Sequence, residues 1–254
     1  MGNIWPDDQL LLEDIITSFP ENRIIVFPQS IYYDNESVDY EESIRRSKSV
    51  FNNSSNVTLF VRDKHAYVAA KSIYSHVKVI LAPDIGLYLC GKARIERHAC
   101  SKPTIGLCLR EDREKSADSK QIEKILKYCE SKKYKMVNVS TTLKVRIPTF
   151  AREKAIYRKL QQFGECTIVI TDRLHGMIFS LLSDTPCLVF DNRTGKISAL
   201  YDSWLNSSDH IVFFKDMDIK ELYKIIDDAN VVPEKNGIYI DFKNLEDEVK
   251  FGKN

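Results

Sequence analysis

The chain has 254 residues, with 37 basic and 36 acidic side chains and a net charge of +1. That length can bury a core as one large domain or two lobes. The near-neutral balance argues against a nucleic-acid binder, which carries a basic excess. No apolar run reaches 18 residues, so no membrane span is expected. The acidic opening MGNIWPDDQLLLED lacks the basic-then-apolar plan of a secretion signal. The six cysteines form no CxxC pair and read as reduced, mostly buried thiols, so a cytoplasmic location is expected.

Along the chain, DQLLLEDIITSF (8–19) has helical spacing of its apolar residues and RIIVF (23–27) reads as a buried strand. A helix follows over 37–51, then a strand over 57–61, a helix over 64–76 and a strand over 77–81. The polar stretch RHACSKP (97–103) reads as a linker. Strands are then expected at 104–109, 135–140, 166–171, 186–191 and 210–214. Helices are expected at 119–133, 149–163, after Arg173, 195–205 and 219–230. The amphipathic stretch 239–252 reads as a closing helix. This alternation predicts parallel sheets covered by helices, in two Rossmann-like lobes. The expected divisions are 1–100, 101–235 and the closing helix in 236–254.

Ligands of open α/β sheets bind beyond the C-terminal ends of the strands, so the motifs there matter most. These are Pro28-Gln29-Ser30, Arg62-Asp63-Lys64, Ala82-Pro83-Asp84, Arg110-Glu111-Asp112-Arg113 and Thr171-Asp172-Arg173-Leu174-His175-Gly176. In the last, Thr171 or Asp172 can cap the following helix. Arg173 and His175 then fall in its first turn, where the helix dipole already disfavours cations. Concentrating positive potential there suits a phosphate or carboxylate. Gly176 admits close approach to the backbone. The competing structural reading has Arg173 paired with a carboxylate and His175 satisfied in the core. Arg110 should emerge at the same strand ends, or else pair with Glu111 or Glu114. Lys196 is a third candidate cation, or a solvated lysine. Asp216-Met217-Asp218 precedes a helix, where capping explains it better than a metal, and none is assigned. No GxGxxG, GxxxxGK[ST] or HExxH occurs.

The segment VITDRLHGMIFSLLSDTPCLVFDNRTGKISALYDSWL resembles the signature region of the polysaccharide pyruvyl transferase family. IIVFPQSIYY, LFVRDKHAY, LAPDIGLYL and LCLREDREK resemble further blocks of that family, in the same order. The resemblance implies a two-lobed architecture like glycosyltransferase B. It implies transfer of a pyruvyl group from phosphoenolpyruvate to a sugar hydroxyl as a ketal, in cell-surface polysaccharide synthesis. Phosphoenolpyruvate is the donor and no cofactor is needed. The acceptor is a saccharide or lipid-linked saccharide, which admits peripheral association with a membrane-bound acceptor.

By the same resemblance the C-terminal lobe holds the donor through Arg110, Arg173 and His175; Lys196, from its place at the start of a helix, is a further candidate cation. His175 is the candidate proton donor. Asn3, Gln29, Arg62 and Asp84 lie on the acceptor side. The family begins with a strand and helix ahead of a Gly-Gly-Asn-Leu-Gly-Asp-like loop. This chain opens at Met1-Gly2-Asn3, inside that loop, so a shortened N-terminal lobe is expected. Two rival readings share the architecture. In one, a nucleotide-sugar glycosyltransferase uses Arg173 and Lys196 to hold a diphosphate. In the other, a truncated relative keeps an anion site without turnover.

Overall fold

The computed structural model describes residues 6–90, 92, 103–110, 112, 118–142, 145–215, 217–229 and 238–250. The chain divides into two compact units, Met1–Tyr88 with Ile240–Asn254, and Leu89–Tyr239. The expected linker at 97–103 lies, but for Pro103, outside the described residues. Each unit is built on an all-parallel sheet, and the expected Rossmann-like α/β class holds for both.

In the first unit, helix α1 (Pro6–Ser18) precedes strand β1 (Ile24–Gln29). Helix α2 (Tyr40–Asn52) leads to β2 (Val57–Val61), and α3 (Lys64–Ile73) leads to β3 (Lys78–Leu81). The three strands pair in sequence order. All five residues of the central strand β2 are buried, as expected of an apolar run covered on both faces. Phe51 of α2 stacks on Tyr74 with ring centroids 4.6 Å apart. Glu13 of α1 is buried and would be costly alone. Arg46 of α2 pairs with it at 2.6 Å, and Gln9 donates to it at 2.7 Å.

The second unit runs β4 (Thr104–Cys108), α4 (Ser119–Ser131), β5 (Lys135–Asn138), α5 (Arg152–Gly164), β6 (Ile168–Thr171) and α6 (Leu174–Leu182). It continues through β7 (Cys187–Val189), α7 (Lys196–Leu200), β8 (Ile211–Phe213) and α8 (Ile219–Asp228). The strand order is β5-β4-β6-β7-β8. The chain steps from β4 to β5 on one side, then crosses back to β6 on the other, so the winding reverses between β4 and β6. The amphipathic spacing of α4 and α8 is used directly. Ile122, Ile125, Leu222 and Ile226 bury against Ile105 and Ile168 of the sheet. The helix expected over 195–205 is α7 followed by a wider π turn at Tyr201–Leu205, where Tyr201 stacks on Phe213.

The expected closing helix is α9 (Lys243–Lys250), and it belongs to the first unit. Its Glu248 accepts from Arg23 at 2.7 Å, from Lys78 at 2.6 Å and from Thr58 at 3.1 Å. Arg23 precedes β1, Thr58 lies in β2 and Lys78 opens β3, so one carboxylate ties three neighbouring strands. The Lys78 bond, with those from Arg23 and Thr58, holds its carboxyl at about 2, against an ordinary 4.5. A depressed folded-state pKa adds stability above about pH 4.5, lost as pH falls toward 2. Wild type should therefore melt above Glu248→Gln at neutral pH. The gap between their melting temperatures should close on acidification through that window. A gap independent of pH would remove the charge from the account.

Candidate active site

The reversal between β4 and β6 marks a topological switch point, the position where open α/β sheets bind ligands. Cys108 is in register with Thr171, so Leu109-Arg110 and Asp172-Arg173 leave the sheet side by side. Four hydrogen bonds fix this exit. The Thr171 hydroxyl donates to the Cys108 carbonyl at 2.7 Å and accepts from the Arg173 N–H at 3.0 Å. The Arg110 N–H donates to the buried Asp172 carboxylate at 2.7 Å. Arg173 Nε donates back across the strands to the Leu109 carbonyl at 3.1 Å.

The cap differs from the sequence expectation. The N-cap position of α6 is neither Thr171 nor Asp172. Arg173 itself is the N-cap residue, in extended conformation (φ −112°, ψ 130°), with no side-chain cap bond. The Asp172 carboxylate is instead directed to Arg110 on the neighbouring strand end. Leu174, His175 and Gly176 form the first turn, whose N–H groups have no acceptor within the helix.

The structural reading of this motif does not hold. His175 is exposed rather than buried in the core. The Arg173 guanidinium meets two neutral oxygens, Leu109 O and, at 3.4 Å, Thr142 Oγ1. Among the described residues no carboxylate pairs with it. A guanidinium has five N–H donors in a planar fork. A half-buried one held by carbonyl and hydroxyl alone keeps its full charge and donors to offer. It sits at the positive end of α6, beside an exposed imidazole, which suits an anion.

Arg110 occupies the expected strand end, but its guanidinium is engaged. Nε and Nη2 bond both oxygens of Asp112 at 2.8 Å each. The expected partners Glu111 and Glu114 lie outside the described residues. Lys196, half-buried, opens α7 beyond β7, one strand further from the switch point. Gly195 before it takes a left-handed conformation (φ +65°), which glycine adopts at no steric cost. Asp218 accepts from Lys220 N–H at 2.7 Å and caps α8, as its position suggests. Asp216 lies outside the described residues.

In the first unit the strand ends carry a second cluster. Arg62 pairs with Asp84 at 2.8 Å and donates to Ser30 Oγ at 2.9 Å. Ser30 donates to Asp63 at 2.6 Å, and Asp63 caps α3 through the Ala66 N–H. The Gln29 carbonyl accepts from the Arg62 N–H at 3.2 Å. Gln29, Arg62 and Asp84 thus gather, while Asn3 lies outside the described residues. Ser30, Asp63 and Asp112 belong to the strand-end motifs but carry no expected role, and Thr142 is not among them. Asp63 carried a readable signal, since it stands directly before a helix. Thr142 reaches Arg173 only through the tertiary fold, and nothing local marks it.

The family model described as polysaccharide pyruvyl transferase matches residues 1–194. The chain belongs to that family. General stress protein 30 of Bacillus subtilis (strain 168) is 29% identical over 228 residues, which are 89% of this chain and 65% of that protein. Pyruvyl transferase 1 of Schizosaccharomyces pombe is 27% identical over 216 residues, 81% of this chain and 52% of that protein. The chain thus spans 65% and 52% of these two relatives. Among solved structures, the UDP-GlcNAc 2-epimerase of Methanocaldococcus jannaschii shares the fold, with TM-score 0.55, 10% identity and coverage of 96% of this chain and 80% of the other. For this pyruvyl transferase family member, the matched span includes Arg110, Arg173 and His175 and ends before Lys196.

Gly176 places α6 against the sheet. A Cβ there would lie 2.3 Å from Thr171 Oγ1 and 3.0 Å from Cys108 Sγ. Both neighbours are buried, and the Thr171 hydroxyl is held by the bonds that define the strand ends. Gly176→Ala should cost about 1–3 kcal/mol in chemical denaturation, the range for overpacking a close-packed site. An alanine variant as stable as wild type would show that this contact does not position α6.

Proposed function

We propose that the chain binds phosphoenolpyruvate at the β4–β6 switch point and transfers its pyruvyl group to a saccharide or lipid-linked saccharide as a ketal. The observation that carries this reading is Arg173, half-buried, without a carboxylate partner among the described residues, at the N-terminus of α6 beside exposed His175. Phosphoenolpyruvate carries a carboxylate and a phosphate, and a guanidinium fork can bond either in bidentate fashion. Family membership supports the reaction class.

In the proposed reaction His175 delivers a proton to the methylene carbon of the enol. The carbon bearing the carboxylate gains oxocarbenium character, and a sugar hydroxyl attacks it. The bond from that carbon to the phosphate oxygen breaks, phosphate leaves, and a second hydroxyl closes the ketal. Of the two hydroxyl protons released, one restores the proton given up to carbon and the other leaves on the phosphate. An exposed imidazole can carry such a proton near neutral pH. Arg173 holds the donor anion throughout. Arg110 joins it by exchanging Asp112 for the donor, and Lys196 adds a more distant positive charge. Gln29, Arg62 and Asp84 serve the acceptor in this reading. The reaction draws on the donor alone, with no resident cofactor, and takes place in the cytoplasm.

Two substitutions test the roles separately. Arg173→Lys keeps the charge and loses the fork, so donor affinity should fall by about 1.5–3 kcal/mol in calorimetric titration. His175→Gln keeps a polar group and loses the proton, so acceptor-dependent phosphate release should drop by about 10²–10⁴-fold while donor affinity changes less. Wild-type turnover in His175→Gln would remove the proton-donor role. Uridine or guanosine diphosphate binding with no response to phosphoenolpyruvate would replace the reading with glycosyl transfer.

A further inference from the structure

Residues 145–159 cover the loop after β5, a short 3-10 turn at Thr149–Ala151 and the first turns of α5. Their charge stands apart from the chain's. Five cations, Arg146, Arg152, Lys154, Arg158 and Lys159, accompany one anion, Glu153, in a protein of net charge +1. Arg146, Arg152, Lys154 and Arg158 are exposed. Among the described residues none of these four is held in an ion pair.

The same stretch exposes large apolar side chains. Phe150 is 91% exposed, Val145 67%, Tyr157 45% and Ile156 44%. A solvated basic face needs no phenylalanine standing almost wholly in water. Interleaved cations and apolar tips suit the boundary of an anionic bilayer, where cations meet lipid headgroups and apolar tips enter the acyl region. A tyrosine is at home at headgroup level. The position is also informative. Thr142, three residues before Val145, lies 3.4 Å from the Arg173 guanidinium, so the surface begins beside the switch point.

We infer that residues 145–158 form a docking surface for an anionic membrane. Contact is peripheral, and among the described residues no helix is long and apolar enough to cross a bilayer. Docking here places the switch point close to the lipid surface, where a lipid-linked acceptor would be met. The inference itself stands on charge and exposure rather than on pyruvyl transfer, and its test uses no substrate.

The full chain is sedimented with phosphatidylcholine vesicles, with and without phosphatidylglycerol as the minority lipid. Wild type should bind the anionic vesicles and leave the neutral ones. The double variant Lys154→Gln/Arg158→Gln should lose about 30-fold in vesicle affinity, from two cations near an anionic surface. Phe150→Ser should weaken vesicle binding yet leave any binding to inorganic polyphosphate, which offers charge and no apolar or aromatic surface, unchanged. All three positions are exposed, so melting temperatures should match wild type. Failure of wild type to sediment with anionic vesicles would overturn the inference. So would wild-type affinity in the double variant, or an inert Phe150→Ser. Vesicle binding by a chain that shows no pyruvyl transfer would uphold this surface and sink the proposed function.

Discussion

The site depends on the direct pairing of β4 with β6. Because the chain visits β5 before crossing back, two sequence-distant strand ends emerge as neighbours, with Cys108 opposite Thr171. The Thr171 hydroxyl bridges them, the Asp172 carboxylate reaches across to the Arg110 N–H, and Arg173 reaches back to the Leu109 carbonyl. Gly176 then lets α6 seat directly on Thr171. Each contact serves local geometry. Together they leave a guanidinium and an imidazole at the positive end of one helix.

Three arginines stand at strand ends, and their surroundings separate them. Arg62 is answered by Asp84, whose side chain is 4% exposed. Arg110 is answered in bidentate fashion by Asp112. Arg173 is answered by a carbonyl and a hydroxyl. A buried ion pair that loses one partner leaves an uncompensated charge, so Arg62 is held to its place in the first unit. Arg173 has no such anchor among the described residues, and an incoming anion completes its shell rather than displacing a carboxylate. That difference, more than the presence of an arginine, is what supports the second unit's switch point as the proposed donor site. Burial also pushes the Cys108 thiol up, which suits a protonated packing residue rather than a nucleophile.

Much of the fold was legible because both sheets are parallel and doubly covered. Runs such as VTLFV and CLVF are apolar at nearly every position, and the helices between them carry 3.6-residue spacing. The order of strands was not legible, since nothing in the apolar runs says that β4 lies between β5 and β6. For the same reason Thr142 could not be connected with Arg173. The N-cap of α6 was not legible, since Thr171 and Asp172 both have capping side chains, yet the Thr171 hydroxyl bonds the Cys108 carbonyl and Asp172 Oδ1 accepts from the Arg110 N–H on the neighbouring strand end. Residue type identified Arg173 and His175 as candidates. Only the tertiary contacts distinguish an arginine open to an anion from one already paired.

The proposed seat of phosphoenolpyruvate on the first turn of α6 is tested by following the His175 imidazole resonances by NMR while phosphoenolpyruvate is added. With five histidines in the chain, a His175→Gln sample assigns the signal. The account predicts a saturable shift at His175, much larger than at the other histidines and abolished in Arg173→Lys at the same donor concentration. An unmoved His175 signal in a sample that calorimetry shows to be saturated with donor would place the anion elsewhere and contradict it.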